Sequence, residues 1–298
     1  MPFKSEINFK LVSKVIGNLL LVESGTLLFM LIVTWLYGEN DGKYFLYSAL
    51  ITLALALLLK LFSLNAPSKA GKREGCMIVT FIWVLFSLFG ALPFWMSGAI
   101  PSYTDAFFET MSGFTTTGST CLNNIEELTY GMLFWRSMTH WLGGLGIVVI
   151  SMAILPILGI NGTQLFVAET TGPTKDKFSA KINDNARILF LVYIVLTLAE
   201  TIFLLFGGMS LFDALTHSFS TVATGGFSTK QVSIAYWENS AYIQYVLAIF
   251  MLLSGANFAL YYFGYKRKLF KIFENEELRY YVIIMVVASL IVMVSLID

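Results

Sequence analysis

Two short stretches of this sequence carry residues able to take over the role of water around a cation. Thr115-Thr116-Thr117-Gly118 and Ala223-Thr224-Gly225-Gly226 lack bulky side chains and end on glycine. Such a backbone can turn its carbonyl oxygens to one side, and glycine supplies the unusual dihedrals without a Cβ clash. Rings of carbonyls replace the hydration shell of a monovalent cation. A divalent site would use Asp or Glu beside the glycine, and neither stretch has one there. The chemistry implied is selection of a bare alkali cation, potassium first, at Thr116, Thr117, Gly118, Thr224, Gly225 and Gly226. It needs no cofactor, and its only metal is the potassium at those residues.

Alone, Thr-Thr-Thr-Gly also fits an ordinary loop after a helix. Its context, however, is duplicated. Sliding the chain along itself until Asp105-Ala106 falls on Asp213-Ala214 also brings Ser112 onto Ser220, Thr116 onto Thr224 and Gly118 onto Gly226. Repeats around a membrane-depth site mark a transport path assembled at the repeat interface. Asp105 and Asp213 are expected to cap short helices, since a carboxylate accepts hydrogen bonds from free N–H groups. The C-terminal ends of those helices would then present partial negative charge to a cation at mid-membrane.

The elements that must hold these loops are set by composition. With 57% hydrophobic residues, 13% charged residues and a mean hydropathy of +0.74, the chain is far too apolar for a soluble domain. Seven stretches reach the roughly 20 apolar residues that a helix needs to cross a bilayer: 14–36, 44–64, 76–98, 132–158, 184–207, 240–264 and 280–297. With the N-terminus inside, sixteen of the nineteen basic residues fall on cytoplasmic ends and loops, leaving Lys43, Arg136 and Lys230 outside. That bias orients the chain in the cytoplasmic (inner) membrane, N-terminus cytoplasmic. Counting either 105–117 or 213–225 as a further span would put a basic cluster outside, so both must enter and leave on one face. Each is about a dozen residues long, too short to span, and carries the Thr, Ser and Gly of a re-entrant segment.

The expected fold is an all-α polytopic membrane protein with two helix–pore loop–helix units after an extra N-terminal helix pair. Residues 1–75 form the pair, 76–160 the first unit, 161–183 a cytoplasmic linker and 184–265 the second unit. Residues 266–298 hold a cytoplasmic loop and the first helix of a third unit. The run after Lys4, Glu6, Lys10 and Lys14 shows no small-residue cleavage site and reads as a retained helix.

At DAFFETMSGFTTTGST, HWLGGLGIVVISMAILPILG and HSFSTVATGGFST the sequence resembles the Trk/Ktr/HKT superfamily of potassium transporters, and its TrkH-type subunits in particular. The resemblance covers nearly the whole chain, including the extra N-terminal pair. It implies four pore units around one ion path, with Gly118 and Gly226 as filter glycines and Thr116, Thr117, Thr224 and Gly225 supplying flanking carbonyls. Glycine at both places resembles potassium-selective members rather than sodium-selective ones. The resemblance also implies a homodimer or assembly with the missing pore units, and a cytosolic nucleotide-binding regulatory subunit of TrkA type. The family's gating loop lies outside the two units present. Two quarters cannot enclose a pore, because filter backbone would face lipid unpaired. The alternative is therefore a truncated, non-conducting regulatory or assembly subunit of such a transporter.

Other residues carry plainer readings. Cys76 and Cys121 read as unpaired thiols, and His140 and His217, without partners at metal-site spacing, as structural. Glu109 can steady the filter, raise the local cation concentration or simply brace its scaffold, while Glu23 and Glu200 fit helix packing. Gly143, Gly144 and Gly146 permit close approach of a neighbouring helix or of the pore helix. Pro93 is expected to bend its helix, Arg136 to anchor its own at the outer surface, and Lys230 to tune ion access. Balanced charge gives no sign of a nucleic-acid partner. HExxH, G-x-S-x-G and paired intramembrane aspartates are missing, so no enzyme is expected.

Overall fold

In a computed structural model, residues 7–64, 72–157, 182–258 and 274–295 are described, with part of the stretch between the last two. The 161–183 linker therefore lies almost wholly outside the described residues. Side chains of α6 are described as far as Gly146.

Helix α1 (Phe9–Leu36) starts five residues before the expected 14 because Asn8 caps it, its side chain accepting the Leu11 N–H at 3.1 Å. It returns through a turn at Gly38, whose φ is 66°, into α2 (Gly42–Phe62). Gly17 lets the α2 backbone approach: a Cβ there would stand 3.1 Å from the Ala56 carbonyl oxygen. The Ser24 hydroxyl donates to the Ala49 carbonyl at 2.9 Å across the same seam.

The stretch expected at 76–98 is two helices, α3 (Lys72–Gly90) and α4 (Leu92–Ser97), with Pro93 in the first turn of the second. Proline has no N–H to extend the ladder, so the helix breaks there. Beside the break the Trp135 indole N–H donates to the Gly90 carbonyl at 2.9 Å. Short α5 (Tyr103–Phe114) follows, then α6 (Tyr130–Ile157), α7 (Ile182–Phe206), short α8 (Leu211–Val222), α9 (Ala241–Gly255) and α10 (Glu276–Ser295). Helix α9 ends well before the expected 264, at Ser254-Gly255, where Ala256 turns extended. Both residues are poor helix formers.

Five of the described helices, counting α3 and α4 as one, are long and apolar enough to cross a membrane. Their apolar side chains point all round, as in α2, where Leu58 and Leu61 are exposed while Phe45 and Ala49 are buried. Helix α10 buries none of its side chains.

The N-terminal pair is fastened to the first unit at one end. Glu39 accepts the free N–H groups of Tyr130 (2.7 Å) and Gly131 (2.9 Å) at the start of α6, and Asp41 accepts the Thr129 hydroxyl at 2.6 Å. A carboxylate at a helix N-terminus is favoured by the helix dipole. One apolar core, with Trp135, Phe114 and Phe45, joins α1, α2, α5 and α6. A second, with Tyr193, Val222 and Leu247, joins α7, α8 and α9.

Candidate functional site: two facing loops after short helices

Helices α5 and α8 are both 12 residues long, and their first residues, Tyr103 and Leu211, occupy the same place in the repeat as do Asp105 and Asp213. At 1.5 Å per residue each reaches about 18 Å, well short of a bilayer core. Their caps differ from the sequence reading, which placed Asp105 and Asp213 there. The caps are Ser102 and Ser210, in extended conformation, whose hydroxyls accept the N–H of Asp105 at 3.3 Å and of Asp213 at 3.0 Å. The aspartates stand three residues further in. The reason is geometric: an N-cap side chain reaches the third residue of its helix, and a carboxylate in the first turn still interacts favourably with the dipole. Ser-x-x-Asp, present in both copies, is the signal that would have found the caps.

Beyond each helix the backbone folds in the same way twice. Thr116 has φ 55° and Thr224 φ 56°; Gly118 has φ 76° and Gly226 φ 91°. Left-handed residues thus alternate with others along both strands. For threonine, a β-branched residue, this conformation costs on the order of 1–3 kcal/mol and persists only where surroundings enforce it. Hydrogen bonds do so here: Thr116 and Thr117 N–H groups donate to the Gly113 and Ser112 carbonyls at 3.0 and 2.9 Å, and those of Thr224 and Gly225 to Thr221 and Ser220 at 2.9 and 2.8 Å.

The two strands touch. A Cβ on Gly118 would overlap the Gly225 carbonyl oxygen, whereas one on Gly226 would meet nothing within 4 Å. Helix α6 packs behind both loops, where Gly143 lies against the Phe114 carbonyl and Gly144 within 3.1 Å of Ala223 for an added Cβ. The close approach expected of these glycines is toward the short helices and their loops. His140, fully buried on the same helix, stacks on Phe227 with centroids 3.9 Å apart and fills the space beside Gly225.

The greatest departure from the sequence reading is Arg136. It does not anchor α6 at a surface: its side chain is 2% exposed and its partner Glu109 0%. Arg136 Nε donates to Glu109 Oε1 at 2.6 Å, Nη1 donates to the Ser228 carbonyl at 2.9 Å, and the guanidinium lies 3.6 Å from the Phe227 ring centroid. Glu109 also accepts the Thr120 hydroxyl (2.9 and 3.0 Å), the Cys121 N–H (3.0 Å) and the Cys121 thiol (3.4 Å). Burial, and after it the Glu109 carboxylate, pushes the Cys121 thiol up to about 12, so it stays protonated as a donor.

The second loop repeats this pattern with different chemistry. His217, equivalent to Glu109, has Nδ1 at 2.7 Å from the Asp213 carbonyl and Nε2 at 2.9 Å from the Ser228 hydroxyl. Thr229 donates to Asp213 at 2.6 Å. Thr120 and Ser228 also fall together in the repeat. Glu23 and Glu200 are buried within the protein. Cys76 and Cys121 are free thiols. Among the described residues no cluster of His, Cys, Asp and Glu could hold a metal ion. The potassium expected here would bind backbone oxygens, which the chemistry of the two loops fits.

A sequence profile described as a TrkH cation transport protein matches residues 43–297. The chain belongs to the TrkH family. It is 40% identical over 258 residues to the Trk system potassium uptake protein TrkH of Escherichia coli K12, covering 86% of this chain and 53% of that protein. Against TrkH of Halomonas elongata it is 36% identical over 292 residues, covering 97% of this chain and 60% of the relative. The crystal structure of the potassium transporter TrkH from Vibrio parahaemolyticus superposes with a TM-score of 0.72 at 34% identity, covering 86% of this chain and 52% of that one. The chain thus spans about half the length of the curated relatives it matches. Family, fold and apolar helices together make this TrkH member a helical multi-pass membrane protein.

Proposed function

We propose that this chain supplies two of the pore-lining units of a potassium transporter, with Thr116–Gly118 and Thr224–Gly226 as two sides of a backbone-carbonyl selectivity filter. The observation that carries the reading is the duplicated left-handed backbone at Thr116 and Gly118 and at Thr224 and Gly226, on strands that touch. Alternation of handedness allows successive carbonyls to face one side, which a dehydrated cation needs. Relatives named potassium uptake proteins support the choice of ion. The step is transport without covalent chemistry.

Two loops bound only part of a path, so further pore segments complete it, in a homodimer or another assembly. A cytosolic nucleotide-binding subunit of TrkA type is the regulatory partner this reading carries from the family. The bias of the basic residues supports a location in the cytoplasmic membrane with the N-terminus inside. The test is ion uptake in cells lacking other potassium systems, by the assembled transporter carrying this chain. Gly118→Ser or Gly226→Ser is expected to weaken discrimination of potassium from sodium. Unchanged discrimination in both variants would remove the filter assignment.

A further inference from the structure

We propose that Arg136 is a positioning residue that fixes the spacing of the two filter strands and so sets how strictly they discriminate between alkali cations. The proposal rests on the filter reading above and extends it to a side chain that touches no ion. Arg136 belongs to the first unit, yet it holds both loops. Through Glu109 it grips the first, because Glu109 in turn accepts from Thr120 and Cys121, two and three residues past Gly118. Through Nη1 it grips the Ser228 carbonyl, two residues past Gly226, and its guanidinium stacks on Phe227 directly after that glycine. The bridge therefore runs from one strand to the other just beyond their filter glycines.

The repeat shows that this is not a general feature of the scaffold. In the register that pairs Asp105 with Asp213, Arg136 falls on Gln244, whose amide donates to Trp237 and Glu238 in the outer loop of its own unit. The residue equivalent to Glu109 is His217, which needs no cationic partner. Packing the same backbone thus does not require a charged pair. What the pair adds is a link between neighbouring units. A planar fork that donates to a carboxylate and a carbonyl while stacking on a ring is a geometry that guanidinium meets and ammonium does not. The paired charges also cancel, so the bridge adds no net charge beside a passing cation.

Carbonyl cages separate potassium from sodium through the number and placement of their oxygens, so a strand free to shift loses discrimination before it loses conduction. Single neutralisation would bury an unpaired charge and confuse folding with function. The informative variants are Arg136→Lys and the doubly neutral Glu109→Gln/Arg136→Gln, compared with the unaltered protein for membrane-inserted amount and for the ratio of potassium to sodium uptake. Loss of one buried charged hydrogen bond corresponds to about tenfold, and a fall of that order in the ratio is expected in both variants at normal protein levels. A ratio equal to that of the unaltered protein would overturn the proposal. So would failure of both variants to insert, which would make the pair a folding element. If the double variant alone regains the ratio, the role is charge balance and the proposal again fails. If the unaltered protein itself shows no preference for potassium, it is the filter reading that falls.

Discussion

The two copies of the repeat, each a short helix followed by a loop, share left-handed backbone at matching positions and differ in the chemistry that holds it. In one, a buried carboxylate at position 109 is locked by Arg136, Thr120 and Cys121. In the other, an imidazole at the equivalent position 217 bridges Asp213 and Ser228. Both arrangements leave threonine and glycine at left-handed angles in the same places. The conformation of the loop is thus the quantity held constant, and the side chains behind it are alternative means of enforcing it. That pattern is expected when the functional atoms are main-chain oxygens rather than side chains.

The sharpest way to break the comparison is to remove each lock. Glu109→Gln leaves Arg136 buried without its counter-charge, which costs about 3–5 kcal/mol. His217→Gln, which alters hydrogen bonds without stranding a charge, costs about 1–3 kcal/mol. Thermal unfolding in detergent should show the first variant much less stable than the second. Equal losses would mean that the ion pair has no special place.

The glycines should also separate. Both sit at positive φ, where alanine costs about 1–2 kcal/mol. Gly118→Ala would add a collision with the Gly225 carbonyl, while the Cβ of Gly226→Ala meets open space. Gly118→Ala is expected to lower the unfolding temperature well beyond Gly226→Ala, and the reverse order would contradict the touching of the strands. Smaller still, Ser102→Ala and Ser210→Ala should each cost about 1 kcal/mol as lost helix caps. Ser210→Ala is expected to cost slightly more, since Ser210 also donates to Asp213 at 2.8 Å.

The least perturbing probe is alkylation of Cys121. Its thiolate is the reactive form, and burial and Glu109 push the thiol up to about 12, so it stays protonated near neutral pH. Iodoacetamide labelling in mildly alkaline buffer should therefore be slow in the unaltered protein. The double variant Glu109→Gln/Arg136→Gln removes the charge that raises this thiol without stranding its partner, so labelling should quicken, and no change would show that the carboxylate does not act on Cys121.

Much of this was legible in the sequence because lipid imposes strong rules. The apolar helices, the short segments at 105–117 and 213–225 and the paired glycines all follow from length, basic residues and the match of Asp105 to Asp213. What was not legible involves side chains whose roles depend on distant partners. Arg136 read as a surface anchor because a lone arginine near a helix start usually is one, and its partner Glu109 lies on a different helix. The caps fall three residues before the aspartates because a serine hydroxyl reaches the third N–H of its helix, and aspartate, itself a good cap, masks that signal in the sequence. The early end of α9 at Gly255 was hidden by the apolar residues that continue past it.

The central claim is that main-chain oxygens of Thr116–Gly118 and Thr224–Gly226 jointly hold a dehydrated alkali ion. Soaking crystals of the assembled transporter in rubidium and collecting anomalous scattering tests this directly. The expected result is density flanked by carbonyls of both strands, lost when sodium replaces rubidium. Rubidium bound elsewhere, with none beside these strands, would contradict the claim.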